Sequence, residues 1–167
     1  MTSTSAVSQT PIPRDELPAQ SDELGAQADD PRGGPRWAVR ILDRNAGSRC
    51  IAAVRMQNGV VGSVDEDGRL VPTPAVRTGS CADPRSEPLQ LALARIGGRG
   101  ASGPRSVLVA IADSSVAAVA VVGPDGARSV KLDASGSFLV VYEGLAAVDS
   151  WSVTVTMNDG TSRVYHL

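Results

Sequence analysis

The sequence predicts an all-β protein: an antiparallel β-sandwich of the Ig-like or jelly-roll type, preceded by a disordered N-terminal tail. Three observations carry this. From Trp37 onward, short apolar runs alternate with polar residues at period two, as half-buried strands require. Turn pairs such as Asn58-Gly59, Asp67-Gly68 and Asp159-Gly160 separate those runs, and such pairs accept the positive φ of tight hairpins. The joins recur at roughly 8 to 12 residues, the rhythm of sandwiches and barrels.

A chain of 167 residues is room for one ordinary domain. Residues 1–36 contribute little to it. Pro11, Pro13, Pro18, Pro31 and Pro35 interrupt a stretch of Ser, Thr, Gln and scattered acids, and its apolar residues show no period. Such a segment cannot bury enough surface to offset its ordering entropy. It is expected to be a disordered tail or linker, with the β-sandwich domain spanning 37–167.

The strands of that domain follow in order. "WAVRIL" sets Trp37, Val39 and Ile41 against Ala38, Arg40 and Leu42, and "CIAAVRM" follows after a break at Asn45 to Ser48. Asn58-Gly59 turns the chain into "VVGSV", Asp67-Gly68 into "RLV", and Pro72 and Pro74 close the first half. "PLQLALARI" is ambiguous. Leu89, Leu91 and Leu93 stand at period two, while Leu89, Ala92, Leu93 and Ile96 also fit a helical face behind Ser86-Glu87-Pro88. Residues 89–96 are read as a strand, with the helix left open.

"SVLVAIA" alternates with β-branched residues. "VAAVAVV" and "ARSVKL" flank Pro124-Asp125-Gly126, read as a three-residue hairpin loop, and "SFLVVYE" follows a turn at Asp133 to Gly136. Only five aromatics are present, so the core is built from Val, Ala, Leu and Ile.

The last hairpin, "WSVTVTMNDGTSRVYHL", fixes its own register. A three-residue loop Asn158-Asp159-Gly160 pairs Met157 with Thr161. It gathers Trp151, Val153, Val155, Met157, Tyr165 and Leu167 on one face with Arg163, and leaves Ser152, Thr154, Thr156, Ser162, Val164 and His166 on the other. A one-residue slip would mix the faces, so burial selects this loop. His166, the only histidine, is then solvated beside Ser152. A histidine base needs a nucleophile and an orienting group within reach, and no G-x-S-x-G elbow is present to supply the nucleophile.

Net charge is −2. Residues 1–36 hold six acids and three bases, and the remainder twelve acids and thirteen bases. Neither part has the dense positive stripe that phosphate neutralisation needs, which argues against nucleic acid. No apolar run reaches the roughly 18 residues of a transmembrane helix. The N-terminus lacks the basic and apolar regions of a signal peptide. Either the chain is cytoplasmic, or it is the soluble part of a longer one carrying its own anchor.

Two motifs invite chemistry and fail on context. Gly98, Gly100 and Gly103 match G-x-G-x-x-G, but a dinucleotide site needs the third glycine to open a helix. Here Gly103 is followed by Pro104 and a period-two run, so the loop is read as a bend. "DEDG", Asp65 to Gly68, resembles part of a calcium loop, yet "RLVPTP" after it supplies no further ligands. Two cysteines and one histidine lack the number for a structural zinc site. No catalytic, cofactor-binding or metal-binding residue is assigned, and no cofactor is expected.

Cys50 and Cys81 are expected to form a disulfide, on their even count and loop-rich setting. The alternative is two free buried thiols. If paired, the domain lies in an extracytoplasmic or cell-envelope compartment; otherwise it is cytoplasmic.

The run ending at Gly144, with its "V-x-x-V-x-V" strand, "G-P-D-G" turn and "G-x-F-L-V-V" strand, resembles a pattern in uncharacterised secreted or membrane-tethered β-sandwich domains of high-GC Gram-positive bacteria. An early cysteine after an N-terminal strand and a second in a glycine-rich loop add to the likeness. The resemblance implies an extracytoplasmic β-sandwich and brings no assigned activity.

The functional reading is a non-catalytic interaction or structural module of the envelope, its partner an unknown protein or envelope component. The alternatives are a small-ligand or glycan-binding module and a carboxylate-dependent hydrolase. A glycan module usually relies on exposed aromatic platforms, and a hydrolase on two carboxylates about 5 to 9 Å apart.

Overall fold

The computed structural model describes residues 2–6, 21–43, 47–72 and 79–167. Among them are fourteen strands, numbered in chain order. The first seven are β1 (Thr2–Ala6), β2 (Ser21–Ala28), β3 (Arg36–Asp43), β4 (Arg49–Gln57), β5 (Val60–Val64), β6 (Leu70–Pro72) and β7 (Ser80–Ala82). The rest are β8 (Leu89–Ile96), β9 (Arg105–Ala112), β10 (Val116–Gly123), β11 (Gly126–Val130), β12 (Ser137–Glu143), β13 (Ser152–Met157) and β14 (Ser162–His166).

The all-β antiparallel sandwich is the observed fold class, with three sheets among the described residues. One runs β1-β14-β13-β10-β11, a second β12-β9-β8, and a third β2-β3-β4-β5-β6 with β7 added on β4. Of the described pairings, only β1 on β14 is parallel. The second sheet lies between the other two, and alternation along its strands shows how. Leu108, Ala110 and Ala112 of β9 join Leu89, Leu91, Leu93, Phe138 and Val140 in a core closed by Val119, Val121, Val153, Val155 and Tyr165 of the first sheet and by Trp151 just before β13. Val107, Val109 and Ile111, one residue out of phase, join Ala92 and Ala94 against Trp37, Val39, Ile41 and Ile51 of the third sheet. A strand covered on both faces reads as a continuous apolar run, and all eight residues of β9 are buried.

The ambiguity at 89–96 resolves as strand β8, paired with β9 from Leu89↔Ala112 to Ile96↔Arg105. Its leucines fill one core and its alanines the other, so the apparent helical face is drawn from two opposite period-two sets. The final hairpin has the expected register: Met157 N donates to Thr161 O at 2.8 Å, Val153 pairs with Tyr165, and Ser152 with His166. The Pro124 turn differs. Gly123 pairs directly with Gly126, leaving a two-residue loop.

The expected domain boundary at Trp37 is corrected. Residues 7–20 of the expected tail lie outside the described residues, but the chain from Ser21 is built into the third sheet. β2 pairs with β3 from Ser21↔Asp43 to Ala28↔Trp37. β2 also lies along β12, where Ala26 N donates to Ser137 Oγ at 2.8 Å. Gly25 permits that approach, since a Cβ there would sit 2.2 Å from the same hydroxyl. Low hydrophobicity misleads here because β2 is an edge strand whose ladder hydrogen bonds, rather than apolar side chains, join it to the sheet.

Candidate functional site

The segment "ADDPRGGPRW" links β2 to β3 and carries a buried carboxylate. Asp30 opens a turn in which Gly33 N donates to Asp30 O at 2.9 Å. Arg32 N donates to its Oδ1 at 2.8 Å, a local Asx-type bond that aims the side chain inward. There it meets three donors from three strands. Arg105 grips it with two parallel bonds, Nε to Oδ2 at 2.9 Å and Nη2 to Oδ1 at 2.8 Å. Arg55 Nη1 and Trp37 Nε1 each donate to Oδ2 at 2.8 Å.

The side chains of Asp30 and Arg105 are 0% exposed and that of Arg55 is 4%. Burial alone would raise the Asp30 pKa, but the donors from Arg105, Trp37 and the Arg32 amide outweigh it and hold the carboxyl well below the ordinary carboxylate range. Burial lowers the Arg55 pKa, the nearby Arg105 adds to that, and Asp30 opposes both. The Arg55 guanidinium also lies over the Trp37 ring, 4.5 Å from its centroid, a cation–π contact in a dry setting.

The glycine loop is a bend, as its context requires. Gly100–Ser102 forms one 3-10 turn, and the chain then enters β9 through a cis Gly103–Pro104 bond. The loop turns its carbonyls outward: Arg32 Nη1 donates to Gly100 O at 3.2 Å and Gly103 O at 3.4 Å. A phosphate loop presents N–H groups; this one presents oxygens to a cation. Its other side rests on the "DEDG" turn, where Ala101 N donates to Glu66 O at 3.0 Å. Gly100 has φ +57°, and a Cβ would lie 2.5 Å from Glu66 O, so the glycine is required twice over. Thus the two suggestive motifs pack on one another. Arg32 completes the arrangement by pairing with Glu143, which stands opposite Arg105 in the β12–β9 ladder.

Beside the hub is a cleft of about 100 Å³ lined by Trp37, Ala53, Arg55, Ser63, Ile96 and Ser102, among others. Its walls come from β3, β4 and β5 of the third sheet, from Ile96 of β8 and from Ser102 of the glycine loop. Arg55 Nε is buried and has no hydrogen-bond partner among the described residues.

Cys50 and Cys81 are bonded, with S–S 2.06 Å. Cys81 is not in a loop, as the sequence suggests, but in β7, directly opposite Cys50 of β4. Gln90 ties this corner to the middle sheet, its Nε2 donating to Arg49 O and Ser80 O at 2.8 Å each. Cys50 is fully buried.

The remaining acids sit mostly on turns. Asp65, Asp83, Asp113, Asp133 and Asp159 each accept from a backbone amide two residues on. His166 is exposed and opposite Ser152, as expected. Trp37, Phe138, Trp151 and Tyr165 are buried, and Tyr142 stands edge-on to Trp151, with centroids 6.5 Å apart. Among the described residues, no three or more His, Cys, Asp or Glu side chains gather where a metal could bind, and no helix is long and apolar enough to cross a membrane.

The sequence points to the cysteines and not to the hub. A signal is present: Arg55 and Arg105 fall on inward positions of otherwise apolar strands, and a buried guanidinium requires a carboxylate. The acid is hidden in the supposed tail. Compared with family models, curated proteins and solved structures, the chain matches none.

Proposed function

We propose that this chain is a non-catalytic interaction or structural β-sandwich module of the cell envelope, with a protein or envelope component as partner. The observation that carries the proposal is how its carboxylates are used. Asp30, buried between sheets, is locked by two guanidiniums, an indole and an amide. Five aspartates cap their own turns. These six carboxylates are engaged in holding the fold, which supports a non-catalytic reading over a carboxylate-dependent hydrolase.

Burial of four of the five aromatic side chains likewise favours this reading over a glycan platform. The Cys50–Cys81 bond is consistent with an oxidising compartment, and the likeness to tethered envelope domains points the same way. The test is thiol trapping in intact cells, followed by pull-down from a native envelope fraction. The proposal expects both cysteines protected until reduction and capture of one reproducible envelope component by the oxidised protein. Two freely alkylated thiols in the cell would overturn the envelope assignment.

A further inference from the structure

We infer that the outer face of the first sheet is a contact surface between two copies of this chain, which associate weakly and reversibly face to face. Association through this face is independent of the envelope assignment.

Alternation divides the residues of that sheet. Val119, Val121, Val153, Val155 and Tyr165 point into the core, so the residues between them point away from it. Register lines these up across the strands. Val164, Thr154, Ala120 and Ser129 form one rank, and His166, Ser152, Val122 and Ala127 the next. A shorter third rank runs from Ser162 through Thr156 to Ala118. On β10 and β11 these residues are exposed, Val122 by 45%.

None of these positions carries Asp, Glu, Lys or Arg. A solvated surface ordinarily holds roughly 25–35% of such residues, and the whole chain holds 20%. The two arginines of these strands, Arg128 and Arg163, stand in the core-side phase, opposite Val121 and Val155. There they pair with Asp125 and Glu87. Lys131 lies one residue past the end of β11, at the rim. The far side of the third sheet shows the usual pattern, with Arg40 paired to Asp22.

What covers such a face follows from its chemistry. Charged side chains are a common guard against association of exposed sheets, and here the guard is missing. Made of methyls and hydroxyls, the face meets a two-fold copy of itself with no like-charge contact, as an isologous interface requires. A charged partner surface would instead have its charges desolvated and unpaired against it. Small side chains also suit sheet-on-sheet packing at about 10 Å. Strands about 4.8 Å apart and ranks about 6.8 Å apart give four strands a footprint on the order of 400 Å² per copy. A standard interface covers roughly 800 Å² per partner. The dimer is therefore weak, with a dissociation constant on the order of 100 µM.

The test is sedimentation equilibrium of the full, oxidised chain from about 10 µM to about 1 mM, with ¹H–¹³C methyl spectra recorded over the same dilution. The average mass should rise toward twice the monomer mass, and the methyls of Ala120, Val122 and Thr154 should shift with it. Ala120 is exposed, so Ala120→Glu and Ala120→Lys should both fold. Each should weaken the dimer about tenfold or more, because either charge is desolvated in an uncharged contact. A chain that stays monomeric at about 1 mM, shifts confined to the amides of the β11 edge, or association that either variant leaves unchanged or strengthens would overturn the inference.

Discussion

Arg105 holds Asp30 with two parallel hydrogen bonds of 2.9 and 2.8 Å, both side chains fully buried. The pair joins the middle sheet to the turn that feeds the third sheet, and Arg55 and Trp37 bring β4 and β3 to the same carboxylate. Buried ion pairs add little net stability over apolar packing, yet they penalise any arrangement that leaves one member alone. The hub therefore penalises any arrangement in which the Asp30 turn does not reach Arg55 and Arg105.

Asp30→Asn should destabilise the protein by about 3 to 5 kcal/mol, since it strands two buried guanidiniums. Replacing Asp30, Arg55 and Arg105 together with Leu, Met and Met should cost less than that single change, because no unpaired charge remains. Urea unfolding of both variants decides it; a triple variant weaker than Asp30→Asn would contradict the assignment of the cost to uncompensated charge.

The same hub sets the acid limit. The folded-state pKa of Asp30 is lowered, so its contribution is complete above the unfolded value of about 3.9 and is lost as pH falls below it toward the folded value. Between neutrality and pH 5 the hub should add no slope to stability. Below about pH 4 the wild type should lose stability more steeply than Asp30→Asn. Parallel wild-type and variant curves across the acid range would remove Asp30 as the source.

How much of this is legible depends on whether the signal is local. Period-two burial and turn chemistry are local, and Trp37, Asn58-Gly59 and the Asp159-Gly160 hairpin stand where those patterns put them. The third layer is half visible: the unbroken apolar run of β9 means two buried faces, but which sheets cover them depends on pairings distant in sequence. The hub is invisible as a unit because Asp30 and Arg105 lie 75 residues apart. β2 escapes notice because an edge strand can be held by its ladder hydrogen bonds, which composition does not record.

Opening the Cys50–Cys81 bond should cost about 2 to 4 kcal/mol on the chain-entropy model for this loop length. The cysteines are 31 positions apart in sequence. Cys50→Ala with Cys81→Ala avoids burying a hydroxyl at Cys50. Hydrogen exchange should rise first at Ser80–Ala82 and at the Gln90 side chain that holds them. Exchange unchanged there after removal of the bond would show that Gln90 alone fixes β7.

The register of the last hairpin can be locked chemically. Thr154 and Val164 are directly opposed, at a site that lacks mutual ladder bonds, where Cβ atoms come closest. Thr154→Cys with Val164→Cys should oxidise in air to a single cross-strand bond, found by peptide mapping beside the native one. Equally efficient bonding in a second variant, Thr154→Cys with Ser162→Cys, would indicate a slipped register.

The fold begins within the supposed tail, with β2 and Asp30 as structural parts. Thermal unfolding of two fragments decides whether it does. The 21–167 fragment should unfold cooperatively, with most of the full chain's melting temperature. The 37–167 fragment loses the edge strand and the carboxylate that pairs with Arg55 and Arg105, and should show no cooperative transition. A 37–167 fragment that melts cooperatively within a few degrees of the full chain would contradict the account.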